Sequence, residues 1–164
     1  MAPARAPLVV SSPSFAPGGR IPRRHTGEGA DVSPELGFSG VDPRTRSLVL
    51  LVDDPDAPDP RAPKMTWVHW ILYSLPPTVT RLAEGISPAA LPTGTGQGIT
   101  DFGGVGWGGP NPPTGRHRYF FHLHALDVVL PELGSPTRAQ LEAAMRGHVI
   151  ASAQVMGTYQ RGDP

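Results

Sequence analysis

The chain has 164 residues, 14 basic and 14 acidic side chains, and no cysteine, which is the length of one domain and excludes disulfides, thiolate nucleophiles and thiolate metal sites. Balanced charge leaves no basic stripe for nucleic acid. The longest aliphatic run, residues 48–52, is too short to span a bilayer, so no stable membrane insertion is expected. The 21 prolines and 20 glycines gather between apolar segments, a layout that suits a β-rich domain with stiff connections.

In chain order, residues 1–15 lack the apolar centre of a secretory signal and read as a loose lead-in to a cytoplasmic protein, with residues 16–164 forming a single domain. Residues 47–53 predict a strand whose continuous apolar middle implies burial on both faces. Four prolines between 54 and 64 predict a loop, and 68–75 predict a second strand, with Trp67 and His69 on one face and Val68 and Trp70 on the other. Residues 86–115 form a long glycine-rich connection with no period, a length that is usually functional. Residues 118–127 alternate as a third strand, Tyr119, Phe121, Leu123 and Ala125 on one face and Phe120, His122, His124 and Leu126 on the other. Ser135-Pro136 predicts the start of a helix running to about Ala151, and 155–159 a last short strand. Strands first and one late helix give a mostly β class, two sheets packed face to face.

Three groups of residues at the ends of these strands carry chemistry. Asp53, Asp54 and Asp56 follow the first strand; they form either a solvated turn or an acceptor set. Trp67 and His69 open the second strand, where a histidine is either a buried core residue or a site residue. The stiff 109–115 turn delivers His117 and Tyr119 on one face of the third strand and Arg118 on the other; imidazole and phenol together suit an oxyanion. His122 and His124 share a face and could seat a metal, but no third ligand is identifiable.

Asp54-Pro55-Asp56-Ala57-Pro58, Trp67-x-His69, and Pro112-Pro113-x-Gly115-x-His117-Arg118-Tyr119 together resemble the signature of the phosphatidylethanolamine-binding (Raf-kinase-inhibitor-like) family. His25-Thr26, Ser33-Pro34-Glu35-Leu36, Thr100-Asp101-Phe102-Gly103 and Gly157-Thr158-Tyr159 resemble its bacterial branch. The resemblance implies a large antiparallel sheet packed on a smaller one, with a peripheral C-terminal helix and a small pocket for phosphate-like anions. Carried over, the ligand-binding residues would be Asp54, Trp67, His69, Pro112, His117 and Tyr119, with Asp56, Pro58 and Arg118 supporting the pocket. The chain departs from the family pattern at Gly27, where bacterial members often carry cysteine, and at Val68-His69, where many animal members have two histidines.

The function expected is therefore binding of a phospholipid headgroup, a phosphorylated side chain or another small anion, without metal or cofactor. A phosphoprotein or kinase partner, regulation of kinase or protease signalling, and a homodimer belong to the same reading. His69, His117 and Tyr119 would donate to the ligand, and protonation of the histidines would tighten phosphate binding as pH falls. The alternative is a phosphoester or ester hydrolase using an Asp-His pair, although no nucleophile motif accompanies it.

Overall fold

The structure is a computed structural model and describes residues 6–164. A three-stranded sheet has the order β1-β2-β5, from Val9–Ser11, Leu36–Ser39 and Arg81–Leu82. A five-stranded sheet has the order β6-β4-β3-β7-β8, from Gly96–Gln97, Met65–Leu75, Ser47–Ala57, His117–Leu126 and Val149–Tyr159. All pairings in both are antiparallel. The expected mostly β fold of a large sheet on a smaller one is thus present.

The apolar run in β3 follows from burial on both faces. Leu48, Leu50 and Val52 point between the sheets with Leu36, Phe38, Leu72 and Phe121, while Val49 and Leu51 point outward with Ile71, Tyr73, Leu141 and Met145. All five residues from Leu48 to Val52 are at most 4% exposed. Each such side chain stabilises the fold by about 1.5–3 kcal/mol relative to an exposed position. Tyr119, Phe121, Leu123 and Ala125 all fall on the inter-sheet face of β7, as their alternation predicts.

Several expectations need correction. Part of the supposed loose lead-in is structured: β1 pairs with β2, and Leu8, Val10 and Phe15 are buried; residues 1–5 lie outside the described residues. The loop expected from 54 begins later, because β3 continues to Ala57; irregular register between Asp54 and Ala57 accommodates the Asp54-Pro55-Asp56 run within a strand. Helix α1 spans only Arg138–Met145. Its cap is Thr137, not Ser135, since the Thr137 hydroxyl accepts from Gln140 N while the Gln140 side chain returns to Thr137 N. Gly147, at φ 83, stops the helix, and the last three residues of the predicted helix, 149–151, become the start of the 11-residue strand β8. The one α-helix among the described residues is peripheral and late in the chain, as expected, and the expected last strand is longer than 155–159.

Candidate functional site

The site forms where β3, β4 and β7 end together, and a break in register at His69 builds its floor. Val52 pairs with Trp70 and Asp53 with Val68, so His69 is an extra residue with no partner on β3. The bulge also explains why Val68 and Trp70 do not share a face as the alternation predicts: Val68 packs with Ile71 beneath α1, and Trp70 packs between the sheets.

The glycine-rich connection docks onto this bulge. Asp101 N donates to Val68 O (3.1 Å), and the Asp101 carboxylate accepts from Val68 N (2.6 Å). Gly108 N donates to His69 O (3.1 Å), and the His69 ring returns a bond from Nδ1 to Gly108 O (2.6 Å). A carbonyl only accepts, so Nδ1 carries the hydrogen and Nε2 is the ring nitrogen left for other partners. Burial holds His69 down at about 4, leaving the ring neutral at physiological pH. Gly109 N is held in turn by Asp31 Oδ1 (2.8 Å), and any Cβ on Gly109 would collide with that carboxylate and with the His25 carbonyl.

The second histidine is held differently. His117 is fully buried, with Nδ1 2.6 Å from Asp54 Oδ2 and Nε2 2.8 Å from the Thr114 carbonyl oxygen. Nε2 must donate to that carbonyl, so a further proton lies between Nδ1 and Oδ2. The Asp54–His117 pair is thus neutral overall, whichever partner holds the shared proton. Burial pushes the Asp54 carboxyl above its usual range, against its bonds to His117 and Asp56 N, which pull it down. Tyr119 lies edge-on to His69 at 5.2 Å and stacks on His117 at 6.4 Å. Burial, with the Asp54 and Asp56 charges adding to it, keeps its phenol protonated.

These groups surround a cavity of about 270 Å³. The six residues expected to bind ligand, Asp54, Trp67, His69, Pro112, His117 and Tyr119, all line it. Of the three expected supports, Pro58 also lines it, while Asp56 and Arg118 clasp each other beside it: the Asp56 carboxylate accepts from Arg118 N, Nε and Nη2 at 2.9, 3.0 and 2.9 Å. That guanidinium holds Asp56 below the usual carboxylate range. The three carboxylates are not a solvated turn; Asp53, Asp54 and Asp56 are all at most 6% exposed. Among the described residues no Lys or Arg lines the cavity.

Phe102 was not singled out by its own chemistry, yet it shapes the mouth. The Asp101–Val68 bonds set it against Trp67 and His69, with ring centroids 5.5 and 5.4 Å apart, and it remains 54% exposed. Met65, Ala57, Asn111 and Pro113 complete the lining. A Cβ on Gly27 would press on Asn111 at 2.9 Å, so the glycine at this departure from the family pattern makes room for a wall residue. His122 and His124 lie apart from the cavity: His122 Nε2 contacts Asp53 (3.1 Å) and His124 Nδ1 contacts Ser152 (2.7 Å). Among the described residues no three His, Cys, Asp or Glu side chains gather as a metal site. No helix among them is long and apolar enough to cross a membrane.

The model of the phosphatidylethanolamine-binding protein family matches residues 11–160. The chain belongs to that family. A UPF0098 protein of Chlamydia pneumoniae is 47% identical over 154 residues, covering 94% of this chain and 99% of that one. One from Methanothermobacter thermautotrophicus is 43% identical over 156 residues, covering 94% and 100%. Among solved structures, a family homologue from Chlamydia trachomatis superposes with a TM-score of 0.87 at 41% identity, covering 94% of this chain and 98% of the other. Escherichia coli YBCL superposes with a TM-score of 0.84 at 34% identity, covering 94% and 99%.

Proposed function

We propose that this protein binds a small phosphate-bearing group, a phospholipid headgroup or a phosphorylated side chain, in the cavity between Asp54, His69 and Tyr119. The observation that carries this reading is the fixed orientation of His69: its Nδ1–H is spent on Gly108, leaving Nε2 as an acceptor in a cavity it lines. A neutral acceptor and no lining cation select the singly protonated phosphate monoester, whose P–OH donates to Nε2. The Tyr119 hydroxyl supplies a donor to the unprotonated oxygens. A dianion would set lone pair against lone pair unless His69 took up a proton on binding.

The pH dependence keeps the direction read from the sequence but changes cause. His69 does not titrate near neutrality, and His117 has both nitrogens committed, so neither ring supplies the charge that was expected of it. The ligand does: a phosphate monoester takes its second proton near pH ~6. Calorimetry with O-phosphoethanolamine should show tighter binding as pH falls from about 7.5 to about 6, and loss of binding in His69→Ala. Affinity independent of pH would overturn the assignment.

We read the site as binding rather than catalytic, because the Asp-His pair is self-contained. His117 already donates to Thr114 O and shares a proton with Asp54, so the pair itself offers no free base for hydrolysis. A phosphorylated side chain is a monoester and carries this P–OH; a lipid headgroup is a diester without one and would donate to Nε2 through its ammonium group instead. Pull-down that millimolar phosphate abolishes would favour the phosphoprotein; retention of binding to phosphatidylethanolamine vesicles alone would favour the lipid.

A further inference from the structure

We propose that a second cavity, against Trp107 of the glycine-rich connection, binds a small organic cation: a primary ammonium group carried on an aromatic or aliphatic body. The cavity measures about 290 Å³, close to the first in size, and shares no lining residue with it. Its walls come from segments the ligand site does not use. Residues 31–33 and 85–88 line it, tied together where Gly85 N donates to Ser33 O (2.8 Å). Trp70 of β4 and Trp107 give it two indoles, which meet edge to face at 5.6 Å. Trp107 is fixed by its Nε1–H, which donates to the His25 carbonyl (3.1 Å), and Ile86 and Leu91 add apolar wall.

The polar groups of this cavity select the charge of its occupant. Among the described residues Asp31 is the one charged side chain in the lining, and no Lys, Arg or His joins it. The Asp31 backbone sits at φ 57, in the left-handed region that aspartate enters more readily than most residues. Its Oδ1 accepts from Gly109 N (2.8 Å), while Oδ2 has no hydrogen-bond partner among the described residues. Glu84, beside the lining residue Gly85, is already neutralised by Arg24 Nη2 at 2.8 Å. Ser33 lines the cavity at 3% exposure, and its hydroxyl also has no partner among the described residues. A carboxylate oxygen, a buried hydroxyl and two electron-rich rings together suit an ammonium group. An anion would meet Asp31 with no cation to offset it. The volume lies at the low end for ligand pockets, so one ring and a short chain fill it.

NMR titration of the full chain with 2-phenylethylamine tests this, read at the Trp107 indole N–H. The resonance should shift saturably, and 2-phenylethanol, the neutral isostere, should bind roughly tenfold more weakly. Millimolar inorganic phosphate should leave the affinity for the amine unchanged, since the two cavities share no lining residue. Asp31→Asn keeps an acceptor for Gly109 N and should weaken the amine roughly tenfold, to the level of the alcohol. Leu91→Trp, which fills the cavity and leaves Asp31 in place, should block both probes. The absence of a saturable shift at Trp107, equal affinities for amine and alcohol, displacement of the amine by phosphate, or undiminished amine binding in Asp31→Asn or Leu91→Trp would overturn the proposal.

Discussion

Asp54 and Asp56 stand two residues apart at the end of β3, both buried, and their environments drive them in opposite directions. Asp54 faces an imidazole in the cavity floor; desolvation wins and its carboxyl is pushed up. Asp56 faces a guanidinium in the cavity wall; three bonds from Arg118 win and its carboxyl is held down. The difference lies in the partner. An imidazole can hand a proton over, so the floor becomes neutral; a guanidinium cannot, so the wall stays a charged clasp. A neutral floor suits a protonated ligand, and a charged clasp outside it fixes β3 to β7 without adding charge to the cavity.

The largest expected effect breaks the floor. His117→Ala leaves Asp54 buried without its partner and should cost about 3–5 kcal/mol in urea denaturation. Asp54→Asn should cost less than about 1 kcal/mol, because an amide reproduces the protonated carboxyl, donating to His117 Nδ1 and accepting from Asp56 N. If Asn were as damaging as Ala at position 54, the pair would be a true ion pair and the contrast with Asp56 would vanish.

The clasp comes next. Asp56→Ala should cost about 2 kcal/mol, near the low end for charged hydrogen bonds because Arg118 is half exposed to solvent. Its pH signature has a definite sign. A lowered carboxyl stabilises the fold above its unfolded value of ~3.9, and that contribution is lost as pH falls through the folded value. Asp54 has the opposite sign: its raised carboxyl contributes below ~3.9 and loses that contribution as pH rises through the folded value. Denaturation from about pH 7 to about pH 3 should therefore reduce the penalty of Asp56→Asn while diminishing any advantage of Asp54→Asn.

The smallest stability effect belongs to the rim. Phe102 is more than half exposed, so Phe102→Ala should change stability by less than about 0.5 kcal/mol. It should nonetheless weaken an aromatic ligand such as phenyl phosphate roughly threefold to tenfold while leaving inorganic phosphate unchanged. Equal losses for both ligands would place Phe102 in support of His69 rather than at the mouth.

How much of this was legible in the sequence depends on how local each cause is. The burial of β3 and the alternation of β7 were legible, because period and composition carry them within one segment. The nine site and support positions converge because three short motifs sit at the ends of neighbouring strands. The bulge at His69 was not legible: it is set by Gly108 and Asp101, some 30 to 40 residues away in a connection without a period. The same distant bonds place Phe102, and the second bond of His117, to Thr114, depends on the path of the preceding turn. The helix end is not legible because Leu141, Met145 and His148 or Val149 continue a helical apolar spacing past the stop at Gly147. Strand β1 has three residues, too few to show alternation, and is held by pairing with β2.

Nitrogen-15 NMR of the His69 imidazole tests the central claim most directly. The neutral Nδ1–H tautomer should persist from about pH 8 to about pH 5, and addition of inorganic phosphate should shift Nε2 while Nδ1 keeps its bond to Gly108. A ring that titrates near pH ~6.5, or phosphate binding that leaves Nε2 unmoved, would contradict it.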